Sequence, residues 1–308
     1  MSWLFFSIAT AVLWGTAELF YKKGAQPNEK YSHLKISVWV GVVMGIHAVY
    51  TLLTQNIGFN PMNLLIYLPV SLFYIFSMTF SYFGMRFLEE SISDPIENTA
   101  GVICVLLFAI FMGDEFSALT WIAAAVITVG VVGVSYLENK GETPRKKTYG
   151  KKLAVVAFIM PFLYALLDAF GTFLDDAFFL VEDIASAPFV DVTEETMEAV
   201  ANTSYELTFA LFALILFIFM KAKGVKFGPV KQHKDKIMAA VFETAGQFTY
   251  VYALGVADAI AAPILSSVCV VSLLLSRIFL KEKLSWKTYA FIAVVIVGIL
   301  LLAVAEEL

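Results

Sequence analysis

All 21 Lys and Arg residues of this chain fall in five short hydrophilic gaps between long apolar runs. These gaps are Lys22 to Lys35, Arg86, Lys140 to Lys152, Lys221 to Lys236 and Arg277 to Lys287. They alternate with gaps around Asn56, Asp114, Asp183 and Asp258 that carry no base. Apolar runs of about 20 residues suit the ~30 Å hydrocarbon core of a bilayer. Short loops that hold the bases stay on the cytoplasmic side. The pattern predicts an all-α membrane protein with ten transmembrane helices at 2–21, 34–55, 63–87, 92–112, 117–137, 152–174, 204–220, 237–256, 259–280 and 286–305. With every base on one side, both termini are expected to be extracytoplasmic, in a multi-pass protein of the plasma (cell) membrane. The connection 175–203 carries eight acidic residues and no base, as an external loop can. Ser2 to Tyr21 has no basic start and no small-residue cleavage site, so it is expected to be a retained span.

Composition agrees and excludes other classes. Apolar residues make up 60%, with 28 Phe and a mean hydropathy of +0.80, more than one soluble core can hide. Cys104 and Cys269 lie inside apolar runs without metal-ligand spacing, which argues against a disulfide framework or a zinc site. A net charge of -5 and the lack of a Gly-rich phosphate loop argue against nucleic acid binding and ATP-driven transport in cis. No cofactor or metal is expected. The expected partners are a small-molecule substrate and the lipid bilayer, with a homodimer as an option.

The chain also repeats itself. Shifted by 168 positions, Phe80 to Gly130 lies on Phe248 to Gly298 without a gap. Tyr82 then meets Tyr250, Pro95 meets Pro263, Ser117 meets Ser285 and Gly130 meets Gly298. A weaker shift of 150 puts Trp14 on Tyr164 and Glu18 on Asp168. The expected halves are 1–140 and 141–308. Because each holds an odd number of helices, the second crosses the membrane in the opposite sense, giving two inverted five-helix repeats.

The opening Ala11-Val12-Leu13-Trp14-Gly15, the turn Met112-Gly113-Asp114-Glu115-Phe116-Ser117 and its partner Leu280-Lys281-Glu282-Lys283-Leu284-Ser285 resemble the drug/metabolite transporter superfamily, ten-helix EamA-like branch. The resemblance implies a proton-coupled or exchange carrier of metabolites or drugs. It also implies that helices 1, 3, 4, 6, 8 and 9 surround a cavity, with helices 5 and 10 more peripheral. Members of this branch are expected to have cytoplasmic termini; the charges here argue the reverse.

Ionisable residues inside the spans point to a site, since each costs ~3 kcal/mol to insert. Glu243 leads. It lies inside an otherwise apolar helix, one turn before Gln247, with no base at the spacing needed to neutralise it. Glu97, followed by Asn98, opens the fourth helix; Asp94 is better placed as that helix's cap. Glu18 precedes Lys22 by one turn, so a simple ion pair competes with a functional role. Asp168 lies ~24 Å along its helix from Lys152, nearer the external side. His47 is the one histidine within a predicted span and titrates near ~6.5 when unperturbed; packing competes with a role in the pathway. Trp14, Tyr82, Tyr164 and Tyr250 would join the acids in a cation-binding wall, although belt and packing roles account for many aromatics. Pro95 and Pro263 share one repeat position, where each is expected in a first helical turn or as a hinge. The leading expectation is a secondary active transporter of a small organic solute, with acids that favour a cationic or proton-coupled substrate. The alternatives are an intramembrane lipid-modifying enzyme, which lacks an evident nucleophile and base, and a non-transporting sensor, which lacks a signalling domain.

Overall fold

The computed structural model describes residues 2–140, 149–179, 186–254 and 268–305, and these are helical with no strand among them. Within a bilayer each backbone N–H and C=O must be satisfied inside its own segment, so every apolar run winds into a helix. The helices are α1 (Ser2–Gly24), α2 (Ser32–Thr54), α3 (Met62–Ile66), α4 (Leu68–Met85), α5 (Glu90–Glu97), α6 (Ala100–Leu107) and α7 (Ala118–Lys140). They continue as α8 (Lys151–Leu174), α9 (Met197–Ala222), α10 (Lys234–Leu254), α11 (Val268–Leu275) and α12 (Trp286–Ala305). Among the described residues, six stretches are long and apolar enough to cross a membrane: 32–54, 68–85, 90–112, 151–179, 194–222 and 286–305. Ala118–Val134 and Val268–Leu280 are shorter apolar helices. Large side chains such as Leu53 at 81% and Ile110 at 70% exposed form the surface that lipid would cover.

Among the described residues, two predicted helices are broken. The one expected at 63–87 splits at Tyr67, because Pro69 in the first turn of α4 has no N–H to give to Leu65. The one expected at 92–112 begins earlier, at Glu90, and stops after Glu97. Pro95 therefore sits inside α5 and not in a first turn, removing the bond to Ser91. Side chains bind carbonyls at the break: Asn98 Nδ2 donates to Asp94 O at 2.9 Å and Thr99 Oγ1 to Ile96 O at 2.7 Å. Its repeat partner Pro263 lies outside the described residues. α9 starts at Met197, well before the expected 204, and takes the polar Asn202 and Thr203 into the helix as well.

Neighbours are fixed by small residues. Gly41 and Gly45 of α2 meet α9, where a Cβ at Gly41 would lie 2.3 Å from Phe209 O. α1 packs on α10, α4 on α8, and α7 on α12. Local structures recur 168 residues apart. α6 runs into a π-helix at Phe108–Met112 and α11 into one at Ser276–Leu280. These end at left-handed Gly113 (φ 77) and Lys281 (φ 56). Ser117 then accepts from the N–H of Thr120 at 3.2 Å, as Ser285 does from Thr288 at 3.1 Å.

Candidate functional site

The broken helix, the Gly-tight helix pairs and the buried acids converge on one cavity of about 690 Å³. α1 contributes Trp14, Glu18 and Tyr21; α4 contributes Tyr74, Ser81 and Tyr82; the α5 break contributes Asp94, Glu97 and Asn98. Opposite them stand Tyr164 and Asp168 of α8, Asn202 and Tyr205 of α9, and Glu243, Gln247 and Tyr250 of α10. Ile299, Leu302 and Ala303 of α12 close one wall. Ten of the predicted pathway residues thus come together: Trp14, Glu18, Tyr82, Glu97, Asn98, Tyr164, Asp168, Glu243, Gln247 and Tyr250. The surrounding helices differ somewhat from the expectation. α9 lines the cavity although it was not expected to, α12 touches it, and α7 contributes nothing to the described lining.

Two of the acids are held by side-chain hydrogen bonds. Glu97 is buried, and its carboxylate accepts from Ser81 Oγ on both oxygens at 2.9 Å and from Ser93 Oγ at 2.7 Å. Asp94 accepts from Asn98 Nδ2 at 2.7 Å, so its role extends beyond capping. Glu18 lines the cavity, and its Oε2 has no hydrogen-bond partner among the described residues. Lys22, one turn on, donates from Nζ to the carbonyl of Met85 at 2.6 Å and to that of Leu88. Trp14 Nε1 donates to Glu243 O at 3.3 Å, and the indole packs 5.2 Å from the ring of Tyr250. The rings of Tyr21 and Tyr82 pack 4.5 Å apart, tilted by 37°.

His47 lies elsewhere. It is not part of the described lining, and its Nδ1 pairs with Glu206 at 2.7 and 2.9 Å across the α2–α9 interface. Glu206 falls inside the helix expected at 204–220 but was not among the expected pathway residues, because its partner His47 is 159 positions away. Reasoning also missed the acids at the cavity mouth, Asp175, Asp176 and Glu198, which looked like ordinary loop charges. Tyr67 OH donates to Asp175 Oδ1 at 2.7 Å and anchors that mouth.

The two ends of the cavity differ. Its mouth lies where the connections carry no Lys or Arg. At the basic end, outside the cavity lining, Glu29 bridges Lys35 at 2.6 Å and Lys236 at 2.9 Å, tying α2 to α10. Burial alone would push the Glu29 carboxyl up, but these two lysines outweigh it and hold it below its ordinary value. Glu282, in the connection before α12, accepts from the N–H groups of Glu90 at 2.9 Å and Ser91 at 3.0 Å. Among the described residues no group of three or more His, Cys, Asp or Glu is placed to hold a metal ion.

The profile of the EamA-like transporter family matches residues 1–136 and 185–304. The chain belongs to this family. This EamA-like protein is a multi-pass membrane protein of a small-molecule transporter family, as its apolar helices also require. No curated protein matches it. One solved structure, described only as "Crystal structure of protein", is similar with a TM-score of 0.57 at 13% identity, over 97% of this chain and 96% of that one. At that identity the likeness concerns the fold alone.

Proposed function

We propose that this protein is a secondary active transporter of small organic cations, coupled to protons or run by exchange. The observation that carries this is the charge of the cavity. Eight carboxylates line it, Glu18, Asp94, Glu97, Asp168, Asp175, Asp176, Glu198 and Glu243, with no Lys or Arg among the described lining residues. Such a set has to be balanced by a cationic solute, by protons or by both. Trp14 and seven tyrosines add aromatic faces on which an ammonium group rests favourably.

The architecture we infer is ten transmembrane helices in two inverted repeats, 1–140 and 141–308. Reciprocal contacts between α7 and α12 support it. A Cβ at Gly130 would lie 2.5 Å from Val295 and 3.1 Å from Phe291 O; one at Gly298 would lie 2.6 Å from Ile127 and 3.2 Å from Ala123 O. Those partners are themselves 168 residues apart, as a two-fold relation between halves requires. The pairing of α1 with α10 and of α4 with α8 has the same reciprocity. The proposed orientation puts the base-free ends and both termini outside the plasma membrane.

The test is uptake by purified protein in proteoliposomes under an imposed pH gradient, using tritiated choline, putrescine and tetraphenylphosphonium, with glutamate as the anionic control. The reading expects uptake of at least one cation and none of glutamate. Glu243→Gln is expected to cut cation uptake about tenfold, the worth of one charge-assisted contact at ~1.4 kcal/mol. Uptake of the anion alone, or cation uptake indifferent to both the gradient and Glu243→Gln, would sink the reading.

A further inference from the structure

Glu90 opens α5 without lining the cavity. It is 0% exposed, and neither carboxylate oxygen has a hydrogen-bond partner among the described residues. Leaving a buried carboxyl unbonded is costly, so it calls for a reason. Capping is not that reason. The first N–H groups of α5 are taken by Glu282, which also accepts from Ser91 Oγ at 2.6 Å and so already supplies the negative charge that a helix start favours.

Its spacing supplies one. Glu90, Asp94 and Glu97 stand at i, i+4 and i+7, one above another on a single helix face. The rise is about 6 Å and then about 4.5 Å along the axis. Glu97 and Asp94 face the cavity, while Glu90 lies a turn nearer the basic end. From α1, Glu18 is an electrostatic neighbour of all three, and Lys22 and Glu282 are neighbours of Glu90. Asp168 of α8 is an electrostatic neighbour of Glu97, and Asp94 is one of Cys269 of α11. A buried row of carboxyl groups thus runs from the cavity floor to the closed, basic end of the bundle.

We propose that Glu90 is the relay through which protons pass between the cavity and the basic face. This inference rests on the proton-coupled form of the transport reading. The O–H bond of a protonated Asp94 breaks, the proton crosses through a bridging water, and an O–H bond forms on Glu90. It then passes to water beside Glu282, and Asp94 takes the next proton from Glu97. Each hop breaks one O–H bond and makes one, and the sum is one proton carried from cavity to basic face. One helical turn between donor and acceptor suits a single intervening water.

The experiment uses full-length protein in proteoliposomes, with tritiated tetraphenylphosphonium as solute and pyranine trapped in the lumen to report proton entry. Glu90→Gln is expected to keep solute exchange at equal pH within about twofold of wild type, since Glu90 lies outside the cavity. It is expected to cut gradient-driven accumulation and the pyranine signal about tenfold, a change of ~1.4 kcal/mol in the relayed step. Glu90→Ala should lose coupling in the same way and regain it with azide, a small weak acid able to carry a proton across the vacated space. Full coupling in Glu90→Gln, or no azide rescue of a folded Glu90→Ala, overturns the relay while leaving transport intact. Wild-type transport without any pyranine signal overturns proton coupling, and the relay with it.

Discussion

At the scale of single residues, buried carboxylates were the most legible part of the site. An ionisable group in an apolar run has few bland explanations, so Glu97, Asp168 and Glu243 stood out and do line one cavity. What spacing alone could not decide was which face each group takes. Glu18 and Lys22 are set for an i, i+4 pair, yet Lys22 reaches carbonyls at the end of α4 and Glu18 lines the cavity. His47 looked solitary because its partner, Glu206, is 159 positions away. A prediction follows for Gly246, where a Cβ would lie 2.4 Å from the Trp14 ring. Gly246→Ala must push the indole out of its bond to Glu243 O and off Tyr250, at a cost of about 1–3 kcal/mol from overpacking. Trp14 fluorescence should shift, and the apparent affinity for a transported cation should fall. An unchanged spectrum and affinity would mean that the α1–α10 contact yields without moving Trp14.

At the scale of elements, the apolar runs were readable because lipid leaves a backbone no alternative to the helix. The breaks were not. Pro95 looks tolerable in a first turn until Glu90 and Ser91, held by Glu282, extend the helix backwards and leave the proline inside it. That contact comes from a residue 192 positions away, so no local rule reports it. The α7–α12 pair offers the sharper test. Gly298 sits against backbone, with Ile127 N 2.9 Å from its would-be Cβ, and a Cβ at Gly130 would likewise lie 2.9 Å from Val295 N. Backbone cannot give way as a side-chain tip can. Gly298→Ala and Gly130→Ala should each destabilise the purified protein by about 1–3 kcal/mol. If the two glycines share one interface, the double substitution should fall short of the sum, because the first already parts the helices. Strict additivity in thermal unfolding would argue that the two contacts are independent.

At the scale of the whole molecule, the charge partition that first marked a membrane protein also separates the two ends of the cavity. Asp175, Asp176 and Glu198 line its base-free end, and at the basic end Glu29 ties Lys35 to Lys236. A carrier has to exchange these states, so the Glu29 bridge must break when the basic end opens. The sign of its pH dependence follows from the lowered value of that carboxyl. A group held lower in the folded protein contributes stability above its unfolded value, near ~4.3 for Glu, and loses it as pH falls through the folded value. The bridge is therefore intact at neutral pH and fails only on acidification below that range. Glu29→Gln should remove about 1–2 kcal/mol, the worth of two ion pairs between buried lysines and a partly exposed carboxylate, and flatten the acid limb of the thermal stability profile. It should also bias the carrier toward opening at the basic end. In protein with Cys104 and Cys269 replaced by Ala, a cysteine placed at Ala100 of the cavity should react with an impermeant maleimide mainly from the base-free side. Adding Glu29→Gln should raise labelling from the basic side several-fold. Equal labelling with and without Glu29, in vesicles of known orientation, would mean that the lysine bridge holds the fold together and not the gate.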